Sequence, residues 1–387
     1  MEQHLHFSEA ELAGRRDRAC AAMQRDGLDG LLVFRQESMY WLTGYDTFGY
    51  CWFQCLYLSA GGGMFLLTRA PDLRQAQFTS VIPPDRIHVW QDREGADPIA
   101  ELKALLDSAG CRGKQLGVEW DSHGLNAGNG LRLRDALQGF ADLTDASLLV
   151  SRLRLIKSPS ELDYLRKAAE LADASWDAAV ALAEPGAFEG DILAAMQGVV
   201  FKGGGDDPAN ETIIGSGPGA LMCRYYTGRR TLSERDQLTL EFAGVYRHYH
   251  AALMRTIVVG KPKARHLDLH AAARDALSAC EEALRPGHPV GEVFDAHARV
   301  LDASGLAEHR LNACGYSLGA TYAPTWMDWP MLYHGNPVEA APGMVFFIHM
   351  ILFDSVSGVA MTLARTSLVT ETGSEPLSKA SLELTVA

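Results

Sequence analysis

The sequence predicts a two-domain protein in which an α/β domain, residues 1–152, precedes an α+β domain, residues 153–387. The chain of 387 residues is longer than one ordinary hydrophobic core accommodates. Its 47% hydrophobic and 21% charged content is typical of a globular protein. Helix and strand patterns alternate in the first part, whereas strands with a few helices between them dominate the second.

The first domain begins with an amphipathic helix over 8–26, because Leu12, Ala19 and Met23 recur at helical spacing. Glycines at 27 and 30 end this helix, and 31–34 is then a short buried strand. The remaining elements follow the same alternation. Strands are predicted at 55–58, 64–67, 86–89 and 115–118, and a helix at 98–108.

The domain boundary falls where an apolar stretch ends and Lys-Ser-Pro-Ser-Glu begins at 157. Either Ser158 or Ser160 can cap a helix that starts here and runs to about 183, since acidic residues occupy its first turn. The elements beyond it are mainly strands. We predict strands at 212–215, 237–243, 249–259, 344–352 and 366–370, and helices at 189–201, 265–284 and 291–304.

The formal net charge of −13 would repel nucleic acid and anionic membranes, so we expect neither as a partner. A small zwitterionic or cationic substrate is compatible with it. No run of about 18 apolar residues occurs, and the first residues lack a signal-peptide pattern, so we expect a cytoplasmic protein. The odd number of cysteines without paired metal-type spacing indicates reduced thiols. They are Cys20, Cys51, Cys55, Cys111, Cys223, Cys280 and Cys314.

Five short motifs, in this order and spacing, resemble the superfamily of creatinase, prolidase, aminopeptidase P and methionine aminopeptidase. They are Trp-Leu-Thr-Gly-Tyr at 41–45, Leu-Arg-Leu-Ile-Lys-Ser at 153–158, Tyr-His-Ala-Ala-Leu-Met-Arg-Thr-Ile-Val-Val-Gly at 249–260, Pro-Gly-Met-Val-Phe at 342–346 and Leu-Val-Thr-Glu-Thr-Gly at 368–373. The resemblance implies a creatinase-type N-terminal domain followed by a catalytic domain of the pita-bread fold.

In the metallopeptidase members of this superfamily, two Asp, one His and two Glu side chains hold two metal ions. The matching positions here hold Glu241, Ala252, Tyr316, His349 and Ala364. Alanine cannot bind a metal, so the resemblance implies neither a dinuclear centre nor another cofactor. A single ion held by Glu241 and His349 stays open, although two protein ligands rarely suffice.

The substitutions resemble the metal-free branches, creatinase and above all ectoine hydrolase. Leu-Glu-Phe-Ala-Gly at 240–244, the pair Tyr249-His250 and the Gly-Tyr-x-x-Gly loop around Tyr316 carry this likeness. It implies that the Glu241 carboxylate attacks an amidine carbon or activates water. Two departures leave the substrate open: Arg224 replaces a family His, and the stretch at 323–330 differs.

The candidate catalytic residues are therefore Glu241, His349, His250 and Tyr316. Glu241 is expected to be nucleophile or base, and the other three to handle protons or hydrogen-bond the reacting group. A purely structural interpretation stands beside each role. Glu241 would then form an ion pair with Arg255 or Arg224, and each His would be a hydrogen-bonded core residue.

Substrate contacts are predicted at two places. Arg224, with Tyr226 beside it, can hold a substrate carboxylate through two hydrogen bonds. Trp326, Asp328 and Trp329 form an aromatic and acidic group suited to a small cation. Salt bridging and packing are the alternative roles.

The sequence thus predicts metal-independent hydrolysis of a C–N bond in a small amidine, guanidine or amide, with an ectoine-type ring as the leading substrate. One alternative is a metal-dependent Xaa-Pro peptidase, which Ala252 and Ala364 disfavour. A second is a catalytically inactive relative that only binds a ligand. Creatinase-like relatives are dimers in which the N-terminal domain reaches the neighbouring site, so the resemblance also implies a homodimer with residues 41–53 near that site.

Overall fold

The computed structural model describes residues 4–224 and 228–387, and the chain divides into two compact units, Met1–Arg154 and Leu155–Ala387. The predicted boundary after residue 152 lies two residues before this division. No helix among the described residues is long and apolar enough to cross a membrane.

Ten α-helices occur in the described ranges. They are α1 Glu9–Arg25, α2 Gln36–Thr43, α3 Leu73–Thr79, α4 Pro98–Ser108, α5 Ala127–Leu137, α6 Leu149–Arg154, α7 Pro159–Leu182, α8 Glu189–Lys202, α9 Ala264–Ala283 and α10 Gly291–Ala303.

Fifteen strands accompany these helices in the same ranges. They are β1 Gly30–Val33, β2 Cys55–Ser59, β3 Met64–Arg69, β4 Ile87–Trp90, β5 Gln115–Val118, β6 Asp142–Asp145, β7 Ile213–Ser216, β8 Asp236–Tyr246, β9 Tyr249–Val259, β10 Gly315–Ser317, β11 Asp328–Met331, β12 Val345–Asp354, β13 Val359–Val369, β14 Ser374–Pro376 and β15 Thr385–Val386.

The first unit is built on a mixed six-stranded sheet in the order β4-β3-β2-β1-β5-β6. Successive residues of β1 point to opposite faces, and each face is apolar. Leu31 and Val33 belong to one buried cluster, while Leu32 and its neighbour Phe34 belong to another. Both faces are therefore covered, as expected of an α/β domain.

Helix α2 was not predicted, because the group that caps it is far away in sequence. Its N-cap residue, Arg35, makes no side-chain cap. Instead the buried carboxylate of Glu119, next to the end of β5, accepts hydrogen bonds from the backbone N–H groups of Phe34 and Arg35 and from the Ser38 hydroxyl. This carboxylate takes the place of a local cap.

The second unit is built on a nine-stranded sheet. Its main path runs β11-β10-β12-β13-β9-β8-β7, with β14 on β13 and β15 on β9. Helices α7 and α8 pack on alternate residues of β8 such as Leu240 and Phe242, and α9 and α10 pack on Ile348 and Met350 of β12. The register places these apolar residues on one face, so the opposite face of the sheet is left for other contacts.

Helix α7 begins with the predicted cap. Ser158 Oγ accepts from the N–H of Glu161 at 3.3 Å, and Glu161 Oε2 accepts from the N–H of Ser158 at 2.8 Å. Further along, a Cβ at Gly244 of β8 would collide with Ala168 O and Ala172 N of α7. Glycine is thus required where this helix crosses the strand that carries Glu241.

The predicted strand at 366–370 was too short. Strand β13 begins at Val359, seven residues earlier, and pairs along its length with β12. Polar residues such as Thr362 and Arg365 interrupt the apolar pattern by which a buried strand is predicted. Their side chains are tolerated because they form hydrogen bonds with other parts of the fold.

Candidate active site

Four neighbouring strands place one side chain each in a row across the face that the helices leave open. Glu241 of β8 pairs with Met254 of β9, Met254 pairs with Ala364 of β13, and Ala364 pairs with His349 of β12. Paired residues project to the same side of a sheet. Two of the predicted catalytic residues therefore share one face.

Tyr316 joins this row from β10. It pairs with Phe347, two residues before His349 and on the same face. Its ring centroid lies 5.9 Å from that of His349. The phenol donates to Glu241 Oε1 at 3.4 Å and accepts from Trp326 Nε1 at 2.8 Å.

Glu241 is 8% exposed, and burial raises the pKa of its carboxyl to about 7. The positive charge of Arg224 and the hydrogen bond from Tyr316 act in the opposite direction on this pKa. The structural interpretation as a pair with Arg255 is wrong, since Arg255 projects to the helix-covered face and donates to the carbonyls of Met254 and Ala364. A carboxyl with this pKa exchanges its proton readily near neutral pH.

His349 is 7% exposed, and burial lowers the pKa of its imidazole to about 4. The ring is therefore neutral at pH 7. Its Nδ1 has no hydrogen-bond partner within the described ranges. A buried nitrogen without a partner is unusual and is available to a ligand.

His250 lies on the same face but is fully engaged in structural hydrogen bonds. Its Nε2 accepts from the N–H of Ala209 at 2.9 Å, and Nδ1 contacts the carbonyl of His248 at 2.8 Å. Burial lowers the pKa of the imidazole to about 3. Nε2 thus holds the segment before β7 and Nδ1 contacts the turn before β9, so hydrogen bonds within the fold engage both nitrogens of this candidate catalytic residue.

The predicted substrate-binding residues separate into different environments. Trp326 reaches the face through Tyr316, whereas Trp329 packs against the helix-side core, so the structure does not unite them in one patch. The carboxylate of Asp328 accepts from the backbone N–H of Trp329 at 2.9 Å. Arg224 is exposed and acts on Glu241 through its charge. Tyr226 lies outside the described residues.

Two residues near Glu241 were missed in the sequence. Burial and, after it, the negative charge of Glu241 raise the pKa of the Cys223 thiol to about 11, so Cys223 is within electrostatic range of the carboxylate. Thr239 precedes Glu241 by two residues on the same face, and its buried hydroxyl has no partner in the part of the chain that is described. The sequence could have indicated both residues, because Cys223 directly precedes Arg224 and Thr239 lies two residues before Glu241.

The side chains on this face do not fit a two-metal centre. Ala252, paired with Ala243, and Ala364 are buried and place methyl groups at two of the five family positions. Within residues 4–224 and 228–387, the donor atoms of Cys280, His297 and Cys314 form the cluster that could hold an ion, and that cluster contains neither Glu241 nor His349. At the five family positions, the carboxylate of Glu241 and the imidazole of His349 are left.

Two known family models match this chain. Residues 163–371 match the model of metallopeptidase family M24, and residues 15–156 match the creatinase/prolidase N-terminal domain. The chain therefore belongs to family M24, with a creatinase-type N-terminal domain. This confirms the superfamily and the two-domain fold that the sequence predicted.

Individual relatives extend over nearly the whole chain. The uncharacterized hydrolase/peptidase y4tM of Sinorhizobium fredii is 30% identical, covering 99% of this chain and 99% of that protein. The ectoine hydrolase of Halomonas elongata is 27% identical, covering 96% of each. The crystal structure of a prolidase from Thermococcus sibiricus, 20% identical, aligns with a TM-score of 0.87 over 98% of this chain and 100% of that one, which shows a shared fold. Together these findings show a hydrolase of the M24 and creatinase family.

Proposed function

We propose that this hydrolase cleaves a C–N bond in a small amidine, guanidine or amide without a catalytic metal, and that an ectoine-type ring is its leading substrate. The observation that carries the proposal is the buried Glu241 carboxyl, whose pKa of about 7 suits proton transfer at neutral pH. The methyl groups of Ala252 and Ala364 at two ligand positions support a reaction that runs without the family's ions.

Glu241 performs the central step. As a base it takes a proton from water while the water oxygen bonds to the substrate carbon, and it returns that proton to nitrogen as the C–N bond breaks. As a nucleophile it bonds to the carbon itself while the nitrogen takes a proton from water and leaves; the hydroxide left behind then cleaves the anhydride-type intermediate and restores the carboxylate. The same carboxylate serves both routes, and atoms and charge balance in each.

The surrounding groups position the substrate. Tyr316 holds the Glu241 carboxylate through its phenol, and neutral His349 offers an unengaged nitrogen to a substrate N–H. Arg224 is suited to pair with a substrate carboxylate. A zwitterion would thus find a cation and a carboxylate near each other.

The likeness to ectoine hydrolase supports this substrate class, whereas the shared fold of prolidases supports a Xaa-Pro peptidase. The metal-ligand atoms that this chain offers favour the ectoine-type substrate over the peptidase. A peptidase of this family would need two metal ions, for which the five matching positions offer one carboxylate and one imidazole.

The proposal includes a homodimer in which residues 41–53 approach the neighbouring site. Phe48 and Trp52 are 68% and 44% exposed, while Trp41 and Tyr45 in the same segment are buried. Exposed aromatic side chains are typical of subunit contacts. Sedimentation velocity of the natural chain and of Phe48→Ser tests this: a dimer weakened by the substitution supports it, and a natural monomer contradicts it.

The decisive assay compares ectoine, hydroxyectoine, creatine and Xaa-Pro dipeptides with and without a chelator, using the natural chain and Glu241→Gln. We expect turnover of a non-peptide substrate that survives the chelator and is lost in Glu241→Gln. Peptide turnover that needs added metal would overturn the proposal. Ligand-dependent thermal stabilisation without any product would instead identify an inactive binding protein.

Water labelled with ¹⁸O separates the two routes. In a single turnover, label in the Glu241 side chain identifies the nucleophilic route, because water that cleaves the intermediate at the Glu241 carbonyl leaves its oxygen there. The base route places it only in the product. Mass spectrometry of the peptide containing residue 241 reads the result.

A further inference from the structure

A second cluster of reactive side chains lies in the helix-side core of the second unit, away from the face that carries Glu241. Cys280 of α9, His297 of α10 and Cys314, next to the start of β10, each offer a donor atom, and these atoms lie within 4.8 Å of one another. All three residues are buried, none more than 1% exposed. From this arrangement we infer that the cluster is a structural site for a thiophilic divalent cation, with Zn²⁺ as the natural occupant.

The hydrogen bonding of His297 leaves one of its two ring nitrogens available to bind a metal ion. Its Nδ1 lies 3.2 Å from the thioether sulfur of Met350, and a thioether has no proton to give, so Nδ1 is the donor. The other nitrogen, Nε2, is buried and has no hydrogen-bond partner among the described residues. An unpaired charged ring would be strongly disfavoured there, so Nε2 carries a lone pair. In metal sites a second group commonly fixes the ligating tautomer in this way.

The two sulfurs complete a donor set that zinc prefers. Cys280 Sγ donates to the carbonyl of Val293 at 3.4 Å, so a backbone oxygen lies beside one of the two sulfurs. With Zn–S bonds of about 2.3 Å and Zn–N bonds of about 2.0 Å, tetrahedral donor atoms lie about 3.5 Å apart. The observed spacing therefore needs a movement of roughly 1 Å, within the reach of side-chain adjustment.

Charge favours a divalent ion over Cu⁺. Two thiolates and a neutral imidazole around Zn²⁺ have no net charge, whereas the same ligands around Cu⁺ carry one negative charge. Because the cluster is in the dry core, a net charge would be costly. The bond-forming step is simple: each thiol releases its proton to solvent as its sulfur binds the ion.

The site would join three elements that meet in this core. Helix α9 packs against α10 and against β12, strand β10 pairs with β12, and the cluster lies among Val293, Leu301 and Met350. A metal cross-link here stabilises the packing without touching substrate. The inference does not rest on the proposed function, since Glu241 is outside the cluster.

Metal analysis of the purified full chain tests the site. We expect about one zinc per chain, lost in Cys280→Ser and Cys314→Ser and kept in Glu241→Gln. Cys55→Ser, which alters a buried cysteine of the first unit, is the matched control and should keep the metal. Zinc retained by both serine variants would contradict the inference.

A spectroscopic titration covers the case in which a serine variant does not fold. Cd²⁺ added to the metal-free natural chain should produce thiolate-to-metal absorption that saturates at one equivalent. No zinc and no Cd²⁺ absorption would overturn the inference, as would a Cys280–Cys314 disulfide in the alkylated protein. A catalytic metal at the other face would behave differently, because its loss would follow Glu241→Gln.

Discussion

The phenol of Tyr316 donates a hydrogen bond to Glu241 Oε1 across 3.4 Å, and the indole of Trp326 in turn donates to the phenol oxygen at 2.8 Å. The position at which the sequence resemblance implies a histidine in metal-binding relatives thus provides a hydrogen-bond donor to the central carboxylate. This relay connects a loop tryptophan to the residue on which the proposed chemistry depends.

Removal of the phenol should shift the pH dependence of the reaction. The kcat/KM of the natural chain should rise with pH and level off above about pH 7, because Glu241 must be ionised. Hydrogen bonding favours the charged carboxylate, so Tyr316→Phe should move this rise to higher pH and lower kcat/KM about tenfold, or about 1.4 kcal/mol. Trp326→Phe is the milder control, since it keeps the phenol. An unchanged profile in Tyr316→Phe would show that the hydrogen bond has no part in catalysis.

Glu241→Gln should make the protein more stable at high pH. The folded pKa of about 7 exceeds the usual 4.5, so between these values the unfolded chain releases a proton that the folded chain keeps. The free energy of unfolding therefore falls as pH rises through this window, by roughly 3 kcal/mol at most. The glutamine variant should escape this loss above pH 7 and match the natural chain near pH 4.5.

Urea unfolding at pH 5 and pH 8 measures this difference. The informative quantity is the gain in stability of Glu241→Gln at pH 8 minus its gain at pH 5. If Glu241 formed a stabilising ion pair instead, the glutamine variant would be the less stable protein at pH 8.

His250→Ala should cost stability rather than alter the ionisation that controls the reaction. It removes the acceptor for the N–H of Ala209 and leaves that donor buried. We expect the free energy of unfolding to fall by roughly 3 kcal/mol. The midpoint of the kcat/KM profile should stay where it is in the natural chain. A shifted midpoint with unchanged stability would instead support the catalytic role predicted for His250.

Gly244→Ala should disturb the contact between α7 and β8. The added Cβ meets backbone atoms Ala168 O and Ala172 N, which cannot move aside as a flexible side chain can. We expect a loss of about 2 kcal/mol or more in the free energy of unfolding. Gly198→Ala in α8 is the matched control: its Cβ meets nothing within 4 Å, and the substitution should stabilise the helix by about 0.5–1 kcal/mol. Equal effects would contradict the packing argument.

Local patterns in the sequence were enough to predict several elements. Strand β9 has the predicted bounds of 249–259, because every residue in it is buried and a turn precedes it. Helix α7 begins at its predicted cap, since Ser158 and Glu161 are three residues apart and complete each other's hydrogen bonds. The family resemblance added what periodicity could not, namely that Glu241, Tyr316 and His349 share one face.

Roles that depend on distant partners were not readable from the sequence. The amide that engages His250 belongs to Ala209, 41 residues earlier. Trp326 and Trp329 are close in sequence, yet one contacts Tyr316 and the other packs on the helix-side core. In both cases tertiary packing, which no local pattern records, decides what the side chain does.

The Glu119 carboxylate has a consequence for the order in which the first unit folds. It satisfies the N–H groups of Phe34 and Arg35 from 85 and 84 residues away. Closing so long a loop is slow compared with local helix formation, and an eight-residue helix is unstable alone. We therefore expect helix α2 to form late, after β5 has docked beside β1, and an isolated peptide spanning this helix to remain a coil.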